Sequence, residues 1–470
     1  MSKTLLIILA TVMLSTNCNA QEKHPILQKN EIEPKIDALV KQYLDLDIFS
    51  GVVLLAEKGK PIYHKAFGLA NRETKTPNTL NTKFNIGSMN KTFTKLVILQ
   101  LLEEDKLSLS DKLGKYLPGF PKLAAENINI EHLLNHSSGY GDYLGRDFFN
   151  SPISQKTIKA LVKRIKKMPL LFEPGSEQEY SNSGYILLGA IIEKVTKKTY
   201  HQNVIERIVK PLGLTETYVE NKNEVPERAI GYLKTMTGEI EDNTGFVELP
   251  NPDGGFLSTT TDILKFYREF HYGNTIIKEE TKLKDEFYKM IQAHNNTGGA
   301  IPHAGGFNGA NTVNYEILRD DITLIVFANM DEPVAEQLGA GILAIIRNQA
   351  PKSPALPAVQ NVYQMYSKHG IDYVKTNFEN LISNFHPEDP KDMILNAVGY
   401  DFLQMHEENK AIEIFQLNTE IFPNVGNTWD SLGEAYFKNG DNKKALAAYK
   451  KALSIDPQFP SAIKMVKKLK

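Results

Sequence analysis

Ser88 and Lys91 stand one helical turn apart in the segment 85–95, NIGSMNKTFTK, and this spacing suits nucleophilic chemistry. An apolar helix is predicted to begin here, so residues at i and i+3 share one of its faces. A serine hydroxyl is a weak nucleophile that needs a neighbouring base or cation, and a lysine in a cleft can supply either. The spacing recurs at Ser461 and Lys464 in a predicted C-terminal helix, so spacing alone does not identify a site.

Tyr180 and Asn182 form the second candidate element, in the segment 180–185, YSNSGY. A Pro-Gly turn precedes them and a long apolar helix follows. A loop tyrosine ahead of a buried helix is held rigidly, which suits a phenol that transfers protons in a cleft. The alternative is that Tyr180 only packs against its loop, since Tyr272 and Asn274 repeat the spacing without that context.

Glycines characterise the third candidate element, the segment 303–309, HAGGFNG, just ahead of a predicted strand. Glycine beside a strand lets a ligand approach the backbone closely. Backbone N–H groups in such a position can act as oxyanion donors. The alternative is a plain turn that contains an incidental histidine, His303.

Hydrophobic patterning predicts the elements that hold these three segments. Strands are predicted at 50–56 and 61–67 and again at 312–318 and 322–329, with a helix following at 334–347. Helices and loops are predicted between the two pairs of strands. The predicted fold class is therefore α+β, with an antiparallel sheet flanked by helices and a helical lobe inserted between its two halves.

The three elements, in this order, resemble the serine β-lactamase and penicillin-binding protein superfamily, and most closely its branch of class C β-lactamases, DD-peptidases and esterases. Three further stretches share the resemblance: 130–139 (IEHLLNHSSG), 211–214 (PLGL) and 254–259 (GGFLST). The resemblance covers about residues 35–348. It implies a β-lactamase/transpeptidase-like fold and two-step acyl transfer, through an acyl-enzyme that water resolves.

The resemblance also implies roles for the matching side chains. Ser88 would be the acylated nucleophile, and Lys91 would lower the barrier to its deprotonation. Tyr180 would be the general base and would pass the proton to the leaving group. Asn182 would bind the substrate and hold Lys91. No metal ion and no cofactor is implied.

The glycine segment supplies the remaining implied roles. His303 and Gly305 would contribute to substrate binding, and the backbone N–H groups of Ser88 and Gly306 would form the oxyanion hole. Position 303 departs from the family pattern, because many relatives carry lysine there. Histidine is largely neutral at pH 7 and suits a substrate carboxylate less well than lysine does. This departure argues against a dedicated β-lactamase and favours an esterase or a D-amino-acid peptidase.

Beyond residue 350 the chain is predicted to change architecture. Three prolines in the segment 351–357 predict a stiff linker between a hydrolase domain at 21–350 and a helical domain at 358–470. In the helical domain a set of small and aromatic residues recurs after 34 positions: Gly399, Phe402, Ala411, Phe415 and Pro423 return as Gly433, Tyr436, Ala445, Tyr449 and Pro457. This pattern resembles the tetratricopeptide repeat. Such repeats either bind a protein or peptide partner or cap the neighbouring domain within the same chain.

Residues 1–20 have the order of a secretory signal, with Lys3 ahead of an apolar stretch and small residues at the end. Two kinds of processing fit: cleavage after Ala20, which yields a soluble periplasmic or secreted protein, or acylation of Cys18, which yields a lipoprotein. Cys18 is the only cysteine, so cleavage after Ala20 leaves no disulfide, thiol nucleophile or cysteine metal site.

Composition limits the classes of function. The chain has 470 residues, 41% of them hydrophobic and 23% charged, which allows a large apolar core. A formal net charge of −2 predicts no affinity for nucleic acid, and none for membranes except through a lipid anchor at Cys18. Two hypotheses follow. The first is an exported serine hydrolase that acts on an ester, amide or D-peptide bond of a small molecule or peptide. The second is a catalytically slow binding or sensing module coupled to the repeats.

Overall fold

The structure is a computed structural model that describes residues 29–144, 148, 151–220, 225–245, 249–293, 295–331, 333–383 and 390–469. The predicted signal segment and its Cys18 lie outside these residues. Within them, no helix combines the length and apolar character needed to cross a membrane. The chain divides into two compact units: one extends to Ser353 apart from the segment Lys234–Glu241, and the other consists of that segment and Pro354–Lys470. The predicted boundaries of signal, domain and linker stay predictions.

The strands, numbered in chain order, are β1 (Gly51–Glu57), β2 (Lys60–Phe67), β3 (Leu69–Asn71), β4 (Thr76–Pro77), β5 (Phe84–Asn85), β6 (Tyr232–Lys234), β7 (Ile240–Asp242), β8 (Leu257–Ser258), β9 (Ile301–Phe307), β10 (Ala310–Ile317) and β11 (Ile322–Ala328).

The helices of the first unit are α1 (Lys29–Asp45), α2 (Asn90–Glu103), α3 (Leu113–Tyr116), α4 (Lys122–Asn127), α5 (Ile130–Leu134), α6 (Ile158–Ile165), α7 (Asn182–Thr196), α8 (Tyr200–Val204), α9 (Thr260–Tyr272), α10 (Glu279–Lys282), α11 (Glu286–Ala293) and α12 (Val334–Ile346). Shorter 3₁₀ turns lie at Gly87–Met89, Ile153–Gln155, Asn295–Thr297 and Leu318–Asp320, and a π turn at Ile205–Val209.

The main sheet has five antiparallel strands in the order β2-β1-β11-β10-β9. The pairing of β1 with β11 joins the two ends of the first unit, with Gly51 opposite Ala328 and Glu57 opposite Ile322. The predicted α+β fold, with a sheet built from both ends and helices inserted between them, is confirmed. Helix α12 packs on β10 and β11 beside α1, and α9 packs on β1 and β11. Every residue of β11 is buried, so helices cover both faces of the sheet.

The sequence pattern does not predict strand β9; it places the segment 303–309 ahead of the strand predicted at 312–318. The structure places residues 301–307 in an edge strand that pairs with β10, with the turn only at Asn308 and Gly309. Pro302, Gly305 and Gly306 are residue types that are uncommon inside strands, so the pattern does not predict a strand here. An edge strand tolerates both proline and glycine. The third candidate element therefore lies on a strand of the sheet.

Glu316 is a fully buried carboxyl group on β10. Its Oε1 accepts hydrogen bonds from the Tyr272 hydroxyl (2.7 Å) and the Thr323 hydroxyl (3.1 Å). Its Oε2 has no partner in the described part of the chain. Burial raises the pKa of Glu316 to about 8, although both hydrogen bonds oppose that shift. The folded protein therefore holds a proton that the unfolded chain releases near pH 4.5.

This raised pKa predicts a pH-dependent stability that Glu316→Gln should remove. A pKa raised on folding contributes stability below the unfolded value, and that contribution is lost as the pH rises through the folded value. Between about pH 5 and pH 9, wild type should lose on the order of 4 kcal/mol of unfolding free energy more than Glu316→Gln does. Denaturant titrations across this range measure the difference. The exposed Glu57→Gln on β1 is the control and should follow wild type. If the unfolding free energies of all three proteins changed with pH in the same way, Glu316 would not hold a buried proton.

The second unit is a series of helices: α13 (Ala358–His369), α14 (Ile371–Leu381), α15 (Asp392–Gln404), α16 (Glu408–Ile421), α17 (Gly426–Lys438), α18 (Asn442–Ile455) and α19 (Pro460–Leu469). Consecutive helices pack as pairs, which confirms the predicted helical repeats.

Close packing inside these pairs explains the recurring small and aromatic residues. A Cβ on Gly399 would lie 2.5 Å from the Phe415 ring, and one on Gly433 would lie 2.9 Å from the Tyr449 ring. Glycine in one helix thus makes room for the aromatic ring of the next. The segment Lys234–Glu241 also belongs to this unit, and its Met236 is buried in the unit's hydrophobic core.

Candidate active site

Ser88 lies in the 3₁₀ turn Gly87–Met89 that leads into helix α2, and its side chain is half-buried. Hydrogen bonds from neighbouring elements fix this turn. The Gly87 N–H donates to Asn85 Oδ1 (3.0 Å), and the Ile86 N–H donates to the Phe256 carbonyl (3.0 Å). Helix α2 is buried on nearly all sides, so Ser88 precedes a helix that is fixed in the core.

Strand β9 packs directly against the Ser88 turn, and glycines make this approach possible. A Cβ on Gly305 would lie 2.1 Å from the Ile86 carbonyl oxygen and 2.8 Å from the Ser88 nitrogen. A Cβ on Gly87, whose φ is +49°, would lie 2.6 Å from the Gly306 nitrogen. The backbones that carry the Ser88 and Gly306 N–H groups are therefore neighbours, as an oxyanion hole requires.

The side chains of Ser88, Lys91, Tyr180 and Asn182 form one hydrogen-bonded group, which we call the Ser88 network. Ser88 Oγ lies 2.6 Å from the Tyr180 hydroxyl and accepts a hydrogen bond from Lys91 Nζ (3.0 Å). Because Lys91 occupies an acceptor position on Oγ, the Ser88 hydroxyl is free to donate its own proton to Tyr180. The arrangement can thus transfer the serine proton to the phenol oxygen.

Lys91 is buried, and three acceptors match the three N–H bonds of its ammonium group. They are Ser88 Oγ, Asn182 Oδ1 (2.6 Å) and the Asp253 carbonyl oxygen (2.8 Å). The ammonium nitrogen also lies 4.9 Å from the centroid of the Tyr180 ring. A cation in this position stabilises negative charge that develops on the phenol or on Ser88 Oγ.

Asn182 is the first residue of helix α7, and both ends of its amide are engaged. Oδ1 accepts from Lys91 Nζ, and Nδ2 donates to the carboxylate of Asp142 at 2.6 Å. The structure therefore places Asn182 as a bridge between a cation and a carboxylate. Nδ2 retains a second N–H, so the predicted contact of Asn182 with substrate stays a prediction.

His136 holds the backbone on either side of Tyr180. Its carbonyl accepts from the Glu179 N–H (2.9 Å), and its Nδ1 accepts from the Ser181 N–H (3.1 Å). Its ring stacks on the Tyr180 ring with centroids 4.7 Å apart. Burial, with help from the Lys91 cation, lowers the pKa of His136 to about 3. The imidazole is therefore neutral at physiological pH, which suits its role as an acceptor from Ser181.

The His303 ring is buried beside helix α9. It is 7% exposed, its Nε2 lies 3.1 Å from His271 Nε2, and its ring centroid lies 4.3 Å from that of Tyr267. Burial, with a smaller effect of the Lys95 cation, lowers the pKa of His303 to about 3. The structure thus brings Gly305 and Gly306 to Ser88 and buries the His303 ring against His271 and Tyr267. Substrate binding by His303 and Gly305 stays a prediction.

The structure adds three residues to the site that were not singled out from the sequence. Asp253 contributes a carbonyl oxygen, Asp142 a carboxylate and His136 its ring. His136 lies in the segment 130–139, which shares the family resemblance, but the sequence alone gave this residue no role. Within the described ranges, no cluster of three or more metal-binding side chains is found.

Comparisons with known proteins place this site in context. The family model for beta-lactamase matches residues 36–346, and the model for the tetratricopeptide repeat matches residues 429–459. The chain is 31% identical over 318 residues to Penicillin-binding protein 4* of Bacillus subtilis (strain 168), covering 60% of this chain and 69% of that protein. It is 29% identical over 292 residues to Protein flp of Staphylococcus aureus (strain MRSA252), covering 59% of this chain and 55% of that protein.

The chain thus spans little more than half the length of Protein flp. Among solved structures, the octameric penicillin-binding protein homologue from Pyrococcus abyssi superposes with a TM-score of 0.60 at 23% identity, covering 72% of this chain and 82% of that chain. At that identity the likeness is one of fold.

Proposed function

The chain belongs to the beta-lactamase family, and on that premise we propose that it is an exported serine hydrolase whose nucleophile is Ser88. The observation that carries the proposal is the short contact between Ser88 Oγ and the Tyr180 hydroxyl, with Lys91 bound to the same Oγ. A nucleophile, a proton acceptor and a cation in mutual contact are the parts that serine acyl transfer needs. Export rests on the pattern of residues 1–20, which lie outside the described residues.

In the proposed reaction, Ser88 Oγ attacks the substrate carbonyl while its proton passes to the Tyr180 oxygen. The carbonyl oxygen becomes an oxyanion that accepts from the Ser88 and Gly306 N–H groups. Tyr180 then gives the proton to the leaving amine or alcohol, and the carbon–leaving-group bond breaks. In the second step water replaces the leaving group, and its proton takes the reverse route through Tyr180. The products are the free acid and Ser88 in its original state.

Lys91 is proposed to act as a fixed cation in this scheme. Its nitrogen lies within hydrogen-bond distance of Ser88 Oγ, Asn182 Oδ1 and the Asp253 carbonyl oxygen. Tyr180, whose hydroxyl also contacts Ser88 Oγ, is the proposed acceptor of the serine proton. The substrate is proposed to be an ester, amide or D-peptide.

The proposal predicts that Ser88→Ala abolishes turnover without altering the fold. Ser88 is half-buried, and its replacement removes only contacts to Lys91 and Tyr180. Hydrolysis of a panel of p-nitrophenyl esters and D-alanyl amides should fall to background, while the thermal midpoint changes little. Ser110→Ala, in an exposed turn, is the matched control and should keep full activity. Turnover by the Ser88→Ala variant would show that Ser88 is not the nucleophile.

The repeats carry a second proposal, binding of a protein or peptide. Tetratricopeptide repeats commonly present such a surface. Purification from native extract of the full chain, beside a chain that ends at Ser353, tests this. A partner that binds the full chain with a measurable Kd and not the shorter chain supports the proposal. Absence of such a partner supports a purely intramolecular role for the repeats.

A further inference from the structure

Strands β6 and β7 pair as a hairpin, residues 232–242, and the reaction proposed above uses no residue of it. Its tip, Lys234–Glu241, belongs to the second unit, whereas its base, at Tyr232, Leu233 and Asp242, belongs to the first. The chain therefore passes from the first unit to the second and back within this one hairpin, well ahead of the passage after Ser353. A hairpin that is shared in this way can transmit a change in one unit to the other.

The tip is held in the second unit by a buried side chain and by close packing. Met236 is 3% exposed and lies in the hydrophobic core of that unit. Gly238 has a φ of +91°, and a Cβ there would lie 2.8 Å from Gln360 Nε2 on helix α13. Inside the turn, the Thr235 N–H donates to the Glu239 carbonyl (2.9 Å). The tip is thus an ordered turn whose withdrawal from the second unit would expose an apolar side chain.

The base of the hairpin is bonded to the turn between β9 and β10. The Tyr232 N–H donates to the Gly309 carbonyl (3.1 Å), and Asn243 Nδ2 donates to the Asn308 carbonyl (2.8 Å). Asn243 is buried, and its Oδ1 accepts from the Gly231 N–H (3.1 Å). The two backbones approach closely, because a Cβ on Gly309 would lie 2.5 Å from the Tyr232 nitrogen. The β9–β10 turn therefore cannot shift without disturbing the base of the hairpin.

The same turn closes the strand that carries the proposed oxyanion donor. Gly306 lies on β9, two residues before Asn308, and pairs with Asn311 of β10. Its nitrogen is packed so closely on the Ser88 turn that a Cβ on Gly87 would lie 2.6 Å from it. A small shift of the β9–β10 turn is therefore enough to move the Gly306 N–H out of its place beside Ser88.

We infer that the 232–242 hairpin couples the second unit to the oxyanion hole, with Asn243 as a positioning residue for the Gly306 N–H. The second unit holds the tip of the hairpin, and the base holds the β9–β10 turn. The effect on rate rests on the proposed function, whereas the effect on strand β9 does not. Release of the tip lowers kcat and leaves KM nearly unchanged, because an oxyanion donor acts mainly on the transition state.

Hydrogen–deuterium exchange of the full chain, followed by mass spectrometry, tests the coupling without any substrate. Met236→Ala removes the buried side chain of the tip, and Gly238→Ala pushes the tip away from Gln360 without emptying the core. In both variants, backbone amides of the segment 301–309 should exchange about tenfold faster than in wild type. Leu432→Ala removes an apolar side chain from the same core on helix α17, so it is the matched control and should leave this segment unchanged.

Asn243→Asp tests the base of the hairpin. Aspartate keeps an acceptor for the Gly231 N–H but loses the donor to the Asn308 carbonyl. Exchange of 301–309 should rise, and Met236→Ala should then add less than it does alone, because both changes act through one route. Wild-type exchange of 301–309 in both tip variants would overturn the inference. An equal rise in Leu432→Ala would also overturn it, since the hairpin would then not be the route.

Kinetics separates failure of this inference from failure of the proposed function. With a p-nitrophenyl ester, Met236→Ala should lower kcat by about tenfold and change KM by less than about twofold. Faster exchange of 301–309 in the tip variants supports the coupling even if wild type hydrolyses nothing. Faster exchange with a wild-type kcat would show that the hairpin does not position the Gly306 N–H. Wild-type exchange and wild-type kcat together would overturn the coupling and leave the hydrolase assignment standing.

Discussion

Tyr180→Phe should lower kcat/KM for any substrate of this protein by about 10²–10⁴-fold, the range expected for loss of a general acid–base group. The hydroxyl lies 2.6 Å from Ser88 Oγ and is the proposed acceptor of the serine proton. Phenylalanine keeps the ring that stacks on His136, so the loop should keep its position. The measurement is steady-state hydrolysis of the best ester or amide, together with the thermal midpoint of each protein.

Tyr43→Phe is the matched control, because it removes a phenol hydroxyl from a buried position on helix α1 outside the Ser88 network. It should retain wild-type kinetics. A Tyr180→Phe variant with a rate within about twofold of wild type would show that another group takes the serine proton.

Gly305→Ala should lower the rate of hydrolysis nearly as much as Tyr180→Phe does, although it adds only one methyl group. The new Cβ would lie 2.1 Å from the Ile86 carbonyl oxygen and 2.8 Å from the Ser88 nitrogen, so strand β9 must move away from the Ser88 turn. That movement takes the Gly306 N–H away from the proposed oxyanion position. Loss of one oxyanion donor costs about 10²–10³-fold in kcat, and we expect an effect of that size.

Gly245→Ala is the control for this substitution, since nothing lies within 4 Å of its added Cβ. It should keep full activity. The two variants are compared in kcat and in far-ultraviolet circular dichroism, so that a local shift of β9 is distinguished from unfolding. Full activity of a folded Gly305→Ala protein would mean that the Gly306 N–H does not contribute to the transition state.

Much of the fold follows from local sequence signals. Buried β1 and β11 are continuous apolar runs, and strands of this kind are expected when helices cover both faces of a sheet. The 34-residue recurrence of glycine and aromatic positions predicted the helix pairs of the second unit, because each glycine accommodates a ring of the neighbouring helix. Strand β9 escaped prediction because its proline and glycines serve the close approach to Ser88, a tertiary requirement that overrides strand propensity.

The sequence likewise predicts some residues of the candidate site and not others. Ser88, Lys91, Tyr180 and Asn182 were named from the sequence, and the structure brings them into one hydrogen-bonded group. Asp142 could not be named, because its contact with Asn182 depends on how the 141–143 loop packs on helix α7.

The direction of the His303 ring was equally hidden in the sequence. Alternation along a strand fixes two faces, but the strand itself was not predicted. The structure places this ring against those of His271 and Tyr267.

The most direct test of the central claim is covalent labelling with an aryl fluorophosphonate, which transfers its phosphonyl group to an activated serine with loss of fluoride. Intact-mass spectra of wild type should show a single adduct, and peptide mapping should place it on Ser88. Ser88→Ala should stay unlabelled, and Tyr180→Phe should label much more slowly. No adduct on wild type, or the same adduct on Ser88→Ala, would contradict the account of Ser88 as the activated nucleophile.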